Sequence, residues 1–373
     1  MNTIGTNSQI TQQIEHKDDT INRTLTCLEL QPAFSENNVA ILFAANHKYL
    51  PYIAVVLQSI VAHSSPQNNY DIIIFTMDIT LKNQKKLQKH FASYCNISIR
   101  FFDVTQAMQP YIEIYTLGYY YTIETYFRLL APDILKAYDK ILYLDGDILV
   151  QSDVAKLYNI ELNEEYLLAA CRDINWIAVY NSSKMQQKYV KEKLQLQEPQ
   201  NYFQAGIILF HLKAFRESIE AKQMMEFANK ENWQLLDQDV LNYVAQNRVL
   251  YLDTKWNVMY NWPKNRIKII TKYASKEDAT AYIEARNHPA IIHYAGPEKP
   301  WMYEKVDFGD IWWKYAAQSI YYQKLQIALV ERKKLKNKLK RFIKKIAMPF
   351  VNIFFPHGSK HREKLRAIVY KKF

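Results

Sequence analysis

Short apolar runs alternate along this chain with segments whose apolar residues recur every three or four positions. VAILFAA (39–45) reads as a strand, and from Pro51 onward Ile53, Val56, Leu57, Ile60 and Val61 repeat at helical spacing. DIIIFT (71–76) predicts a second strand, LKNQKKLQKHFASY (81–94) a helix, and ISIRFFDV (97–104) a third strand. Strands alternating with helices predict an α/β fold: a mostly parallel mixed sheet flanked by helices on both faces. TIETYFRLLAPDIL (122–135) reads as a helix with Pro132 in its last turn, and KILYLDGDILV (140–150) as a strand that ends at its aspartates. The runs YLLAA (166–170), GIILF (206–210) and AIIHY (290–294) are expected to join the same sheet, with helices around 213–229 and 236–247. No internal repeat is present.

The two ends depart from this pattern. Residues 1–37 are rich in Asn, Gln and Thr without periodicity and read as a flexible N-terminal extension. The folded domain is expected over 38–315. Residues 316–373 read as a helical tail in which Val330, Leu335, Leu339, Phe342, Ile343 and Ile346 are interleaved with nine Lys/Arg between 332 and 345, followed by Phe350, Phe354 and Phe355.

Charge sharpens that division. Net charge is +11, but residues 332–373 carry 15 Lys/Arg against the single acid Glu363. Removing that +14 leaves the first 331 residues at about −3, so the body is near neutral and the tail supplies the basicity. A basic amphipathic helix of this kind can lie on an anionic membrane surface. No RNA- or DNA-binding module accompanies it, so a membrane is the expected partner and nucleic acid is not. A hydrophobic content of 49% over 373 residues is ample for a buried core. Cys27, Cys95 and Cys171 are an odd number without CxxC spacing, which argues against a disulfide framework and points to a reducing compartment. Neither a secretory signal nor an 18-residue apolar window is present.

Candidate chemistry gathers at strand ends, where open α/β sheets bind ligands. Asp145 and Asp147 flank Gly146 directly after KILYL. Two carboxylates there can share a hard divalent cation with substrate phosphates, and the glycine permits a tight turn and close approach. The plain alternative is a strand-ending Asx turn. DxDxxV also matches the nucleophile loop of a haloacid-dehalogenase-type phosphatase, although that loop belongs on a domain's first strand and about a hundred folded residues precede this one. In HYAGPEKPW (293–301), His293 can donate a ring nitrogen to the same metal and Lys299 can neutralise a diphosphate, with Gly296 and Pro297 turning the chain between them. A histidine at a strand end can equally be structural. In LLDQDVLN (235–242), Asp237 and Gln238 would open a helix, and simple N-capping by Asp237 is the alternative to a functional role.

The succession FAANHKYLPY, TYFRLL, KILYLDGDILV, YFQAGIILF, DQDVLN and HYAGPEKPW resembles glycosyltransferase family 8, retaining enzymes of the GT-A (Rossmann-like) fold that include bacterial lipooligosaccharide and lipopolysaccharide galactosyl- and glucosyltransferases. The similarity runs from about Val39 to Trp313, with the motifs in family order. It implies that Asp145, Asp147 and His293 coordinate Mn²⁺ (or Mg²⁺) and that Lys299 and the backbone near Gly296 contact the donor diphosphate. Ala44, Ala45 and Asn46 would meet the uridine and Tyr49 would stack on the uracil. Arg128 would reach the donor sugar or its phosphate, Gln204, Ala205 and Gly206 would line the sugar pocket beside Gly146, and Asp173, Asp237 and Gln238 would stand nearest the transferred sugar. Asn46 occupies a position where many members are acidic, and Gln204 one where many carry Asn. The resemblance implies transfer of galactose or glucose from a UDP-hexose to a glycan or glycolipid acceptor. The enzyme would be cytoplasmic and peripheral on the inner face of the bacterial cytoplasmic membrane. A metal-dependent phosphatase and a catalytically silent membrane-bound scaffold are the competing functions.

Overall fold

The computed structural model describes residues 30–111, 123–218, 221–230 and 233–354; within these, the side chains of 221, 222, 340 and 343–354 are not described. Most of the N-terminal extension, Cys27, Phe355 and the rest of the tail therefore lie outside the described residues.

Among the described residues, ten strands form two sheets. They are β1 (Asn38–Ala44), β2 (Asn69–Thr76), β3 (Ile97–Asp103), β4 (Ile141–Leu144), β5 (Ile148–Val150), β6 (Leu168–Arg172), β7 (Phe203–Phe210), β8 (Val249–Tyr251), β9 (Val258–Met259) and β10 (Ile291–His293). The larger sheet has the order β3-β2-β1-β4-β7-β6-β8. Its pairings are parallel except those of β7, which runs antiparallel to both β4 and β6. The mostly parallel mixed sheet expected from the alternation of elements is thus present.

Side-chain alternation divides the core into two. Along β1, Ile41 and Phe43 enter one hydrophobic cluster while Ala40 and Leu42 enter the other; along β4, Leu142 and Leu144 oppose Ile141 and Tyr143. Helices cover both faces, so β1 is apolar from Val39 onward and β4 throughout. The helix Leu50–His63, with Pro51 in its first turn, closes one face through Ile53, Val56, Leu57 and Ile60.

Four expectations change here. AIIHY does not join the main sheet: β10 pairs antiparallel with β5 and parallel with β9 in a separate three-stranded sheet. The KILYLDGDILV run accordingly contributes two strands, β4 and β5, one to each sheet, and Asp145-Gly146-Asp147 is the crossing between them. TIETYFRLL is a 3₁₀ helix over Ile123–Leu130, and Pro132 lies in the first turn of the short α-helix Ala131–Ile134. A missing N–H costs nothing at that position. The expected helix near 213–229 is two helices, Leu212–Ser218 and Ala221–Lys230.

A 33-residue helix, Tyr322–Phe354, leaves the body at its C-terminal side. Its start is packed into the core through Tyr321 and Leu325, and Lys333 pairs with Glu304 at 2.6 Å. Arg332 and Lys336 lie over the Tyr303 ring. No helix among the described residues is long and apolar enough to cross a membrane.

Candidate active site and metal centre

Strand β4 ends at Leu144, and the chain turns through Asp145-Gly146-Asp147 into β5, whose first residue, Ile148, pairs with His293 on β10. That pairing brings both aspartates to the histidine. Asp145, Asp147 and His293 each present a ligand atom, all within 4.8 Å of one another. His293 Nε2 lies 3.6 Å from Asp145 Oδ2 and 3.3 Å from Asp147 Oδ1. Donor atoms this close can converge on a single divalent cation after side-chain adjustment. The donor set, two carboxylate oxygens and an imidazole nitrogen, suits a first-row divalent ion.

Glycines make room for this convergence. A Cβ on Gly206 would overlap His293 Cε1 and stand 2.6 Å from Asp145 Oδ2 and 2.9 Å from Gln204 Oε1. A Cβ on Gly146 would meet Ile53 at 2.8 Å and the Tyr49 ring at 2.9 Å. Gly296 has a φ of +144°, a conformation that side-chain-bearing residues rarely adopt.

Cations stand on two sides of the aspartates. Lys299 pairs with Asp147 and donates to Tyr294 O at 2.7 Å. Burial opposes ionisation of Asp147, but Lys299 and His293 override it and hold the carboxyl well below the usual carboxylate range. Arg128 is almost wholly buried and bridges Asp145 Oδ1 at 2.9 Å and Asp237 Oδ2 at 3.0 Å, with Ala205 O as a further acceptor. Its guanidinium lies 4.0 Å from the centre of the Tyr143 ring, whose hydroxyl donates to Asp145 Oδ1. Burial works against the Arg128 charge, yet Asp145 and Asp237 together raise its pKa. Asp237 is unlike an ordinary carboxylate: burial pushes it up to about 6 against the pull of Arg128 and Thr125.

The sugar-pocket candidates are tied together at the start of β7. Ala205 N donates to Gln238 Oε1 at 3.0 Å, and Gln238 Nε2 donates to Asp173 Oδ2 at 3.3 Å. Asp173 also caps the helix Ile174–Ser182 by accepting from Trp176 N, and burial raises its pKa. Gln204 Oε1 accepts from Gly206 N and from Asn257 Nδ2, each at 2.6 Å. At the other side, Asn46 Oδ1 accepts from the backbone of Lys48 and Tyr49 ahead of the first helix, while Ala44 closes β1 and Ala45 N is bound to Phe75 O. The half-buried Tyr49 packs edge-on to Tyr52 and Trp301, and burial with Asp147 and Asp145 nearby pushes its phenol well up.

A family model described as glycosyl transferase family 8 matches residues 40–305. The chain belongs to glycosyltransferase family 8. A putative glycosyltransferase of Haemophilus influenzae is 30% identical to it over 265 residues, covering 70% of this chain and 72% of the relative. A lipopolysaccharide 1,2-glucosyltransferase of Escherichia coli is 29% identical over 182 residues, 47% of this chain and 48% of that one. Among solved structures, the apo form of the bifunctional glycosyltransferase WbbM aligns with a TM-score of 0.71 and 27% identity over 81% of this chain. The chain spans about half of WbbM, 53% of its length. Family membership makes the protein a transferase of the GT-A fold and displaces the phosphatase and silent-scaffold readings.

Within this family 8 site, one alternative for Asp237 fails on geometry. The helix Asp237–Ala245 begins without a side-chain cap, and Asp237 turns instead to Arg128 and Thr125. Its neighbour Asp239 is wholly buried and serves the fold, accepting from the hydroxyls of Tyr189 and Tyr202 at 2.6 Å each. Sequence reasoning overlooked Tyr143, Thr125 and Asn257. Period-two alternation places Tyr143 on the same side as Asp145 and could have found it. The i, i+3 register of a 3₁₀ helix puts Thr125 beside Arg128, but only once that helix type is known. Asn257, just ahead of the two-residue strand β9, carries no sequence signal.

Proposed function

We propose that this family 8 transferase moves a hexose, galactose or glucose, from a UDP-sugar to a glycan acceptor with retention of anomeric configuration. Asp145, Asp147 and His293 would hold Mn²⁺ (or Mg²⁺). The observation that carries this reading is the convergence of two carboxylates, an imidazole and Lys299 at the crossing between the sheets. A divalent ion bound there supplies electrophilic stabilisation to the departing diphosphate.

The chain's own groups divide the remaining work. Lys299 and the backbone around Gly296 bind phosphate oxygens, and Arg128 reaches the donor sugar or its phosphate while opposing the rise that burial imposes on the Asp237 pKa. The end of β1, Ala44-Ala45-Asn46, meets the uridine with Tyr49 against the uracil. Gln204, Ala205 and Gly206 form the wall of the sugar pocket. Cleavage of the sugar–diphosphate bond leaves positive charge on the anomeric carbon, and the Gln238 carbonyl with the Asp237 and Asp173 carboxylates stands on the side able to stabilise it. Because Gln238 Oε1 already accepts from Ala205 N, and an amide is a poor nucleophile, same-face attack within a short-lived ion pair is favoured over double displacement.

A panel of UDP-sugars with Mn²⁺, followed by UDP release, tests the reading. One UDP-hexose should be hydrolysed or transferred well above the rest, and omission of the metal should abolish release. Absence of UDP release from every UDP-hexose would reject it.

The acceptor class proposed is a sugar of bacterial lipopolysaccharide, lipooligosaccharide or a related surface glycan, supported by the lipopolysaccharide glucosyltransferase among the relatives. The tail fits such an acceptor. Ile327, Val330, Leu335, Leu339 and Phe342 are exposed on the long helix among its lysines and arginines. Each basic residue near an anionic surface contributes about 1 kcal/mol before screening. We place the enzyme in the cytoplasm, peripheral on the inner face of the membrane. Full-length protein should float with anionic liposomes, and a chain ending at Gln326, which keeps Tyr321 and Leu325 in the core, should not. Equal flotation of the two would overturn the membrane role.

A further inference from the structure

A run of hydrogen bonds leads from a backbone amide to the metal-facing histidine, and its polarity can be followed link by link. Gly206 N–H can only donate, so the Gln204 atom facing it at 2.6 Å is the carbonyl oxygen. That same oxygen lies 2.6 Å from the Asn257 side chain, which must therefore present its NH₂. The other end of Asn257 is then its oxygen, and it faces His293 Nδ1 at 3.0 Å. An acceptor there requires a proton on Nδ1. Nε2 is left to point at Asp145 and Asp147. All three side chains in this run are nearly or wholly buried, so water does not compete for the links.

We infer that Asn257 is a positioning residue that holds His293 in the Nδ1–H tautomer, presenting Nε2 as the ligand atom to the cation. The inference rests on reading Asp145, Asp147 and His293 as a metal cradle. Partners of this kind fix ring orientation and tautomer, and their removal typically weakens metal binding by about 10- to 100-fold. Gly206 has a second part in the same arrangement, because its carbonyl accepts from Asp145 N at 2.7 Å. One residue's backbone thus braces one ligand directly and another through two amides. Gln204, expected only as a wall of the sugar pocket, is a link in this run.

The test uses full-length protein, with Mn²⁺ binding followed by the loss of the free-ion EPR signal and the His293 tautomer by ¹⁵N NMR of histidine-labelled, metal-free protein. Wild type should show His293 protonated at Nδ1. Asn257→Leu should lose the tautomer bias and bind Mn²⁺ about 10- to 100-fold more weakly. Asn257→Asp, which offers a carboxylate oxygen to the same Nδ1–H but loses the donor to Gln204 Oε1, should keep the tautomer and bind Mn²⁺ more tightly than Asn257→Leu. A merely structural asparagine would suffer equally from both changes. The positioning role is overturned if wild-type His293 is unprotonated at Nδ1, if Asn257→Asp is as weak as a folded Asn257→Leu, or if Asn257→Leu binds as wild type does. If wild type shows the expected tautomer but binds no Mn²⁺, the cradle reading fails instead.

Discussion

Replacing Asp145 by asparagine should lower kcat/KM for the UDP-sugar by about 10²- to 10³-fold while leaving the protein folded. The size follows from removing an anionic ligand from the proposed metal cradle, whose task would be to neutralise a departing diphosphate, an effect worth several kcal/mol. The fold should survive because the partners of Asp145 are shared. Arg128 retains Asp237 at 3.0 Å and the Ala205 carbonyl, and the substituted amide can still accept from Tyr143. Asp147 is a less clean target, since its loss strands the nearly buried Lys299 ammonium with only Tyr294 O. Steady-state UDP release and a thermal melt, measured side by side, separate catalysis from stability. A folded Asp145→Asn enzyme within tenfold of wild type would dismiss the metal assignment.

Gly206→Ala should damage the same centre by a different route. Its added methyl would stand 2.6 Å from Asp145 Oδ2 and overlap the ring of His293, which is only 1% exposed and has no space to retreat. Overpacking of this kind costs about 1–3 kcal/mol of stability. The larger consequence is that two ligands are pushed apart, so Mn²⁺ affinity should fall at least about tenfold and turnover by about 10²-fold. Gly309→Ala is the matched control, because a Cβ there meets its nearest neighbour at an ordinary 3.4 Å. Comparable losses in the two variants would show that the close approach at Gly206 is unimportant.

The parts of this molecule legible in the sequence are those in which a local pattern and burial agree. Residues 39–44 of β1, 72–75 of β2 and all of β4 are apolar at successive positions because helices cover both faces of the sheet, and Asp145 marks where β4 leaves that environment. The destination of β10 was not legible. Its two isoleucines would suit either sheet, and only the pairing of Ile148 with His293, far apart in sequence, decides between them. The helix carrying Arg128 was recognised but its type was not, since apolar residues three and four apart satisfy both helix periods over so short a stretch. Among site residues, those with distinctive chemistry in a recognisable string were found, whereas Asn257 and Thr125 depend on contacts across the fold.

The pairing of Lys299 with Asp147 spans 152 positions of sequence. Bringing such distant points together costs the unfolded chain loop-closure entropy, and a ligand that grips both ends binds only after that cost has been met. Any ion or diphosphate held between the crossing at Asp145–Asp147 and the segment after β10 therefore favours the folded state by mass action. The proposed metal and diphosphate site would thus also be a clasp that keeps the two sheets together.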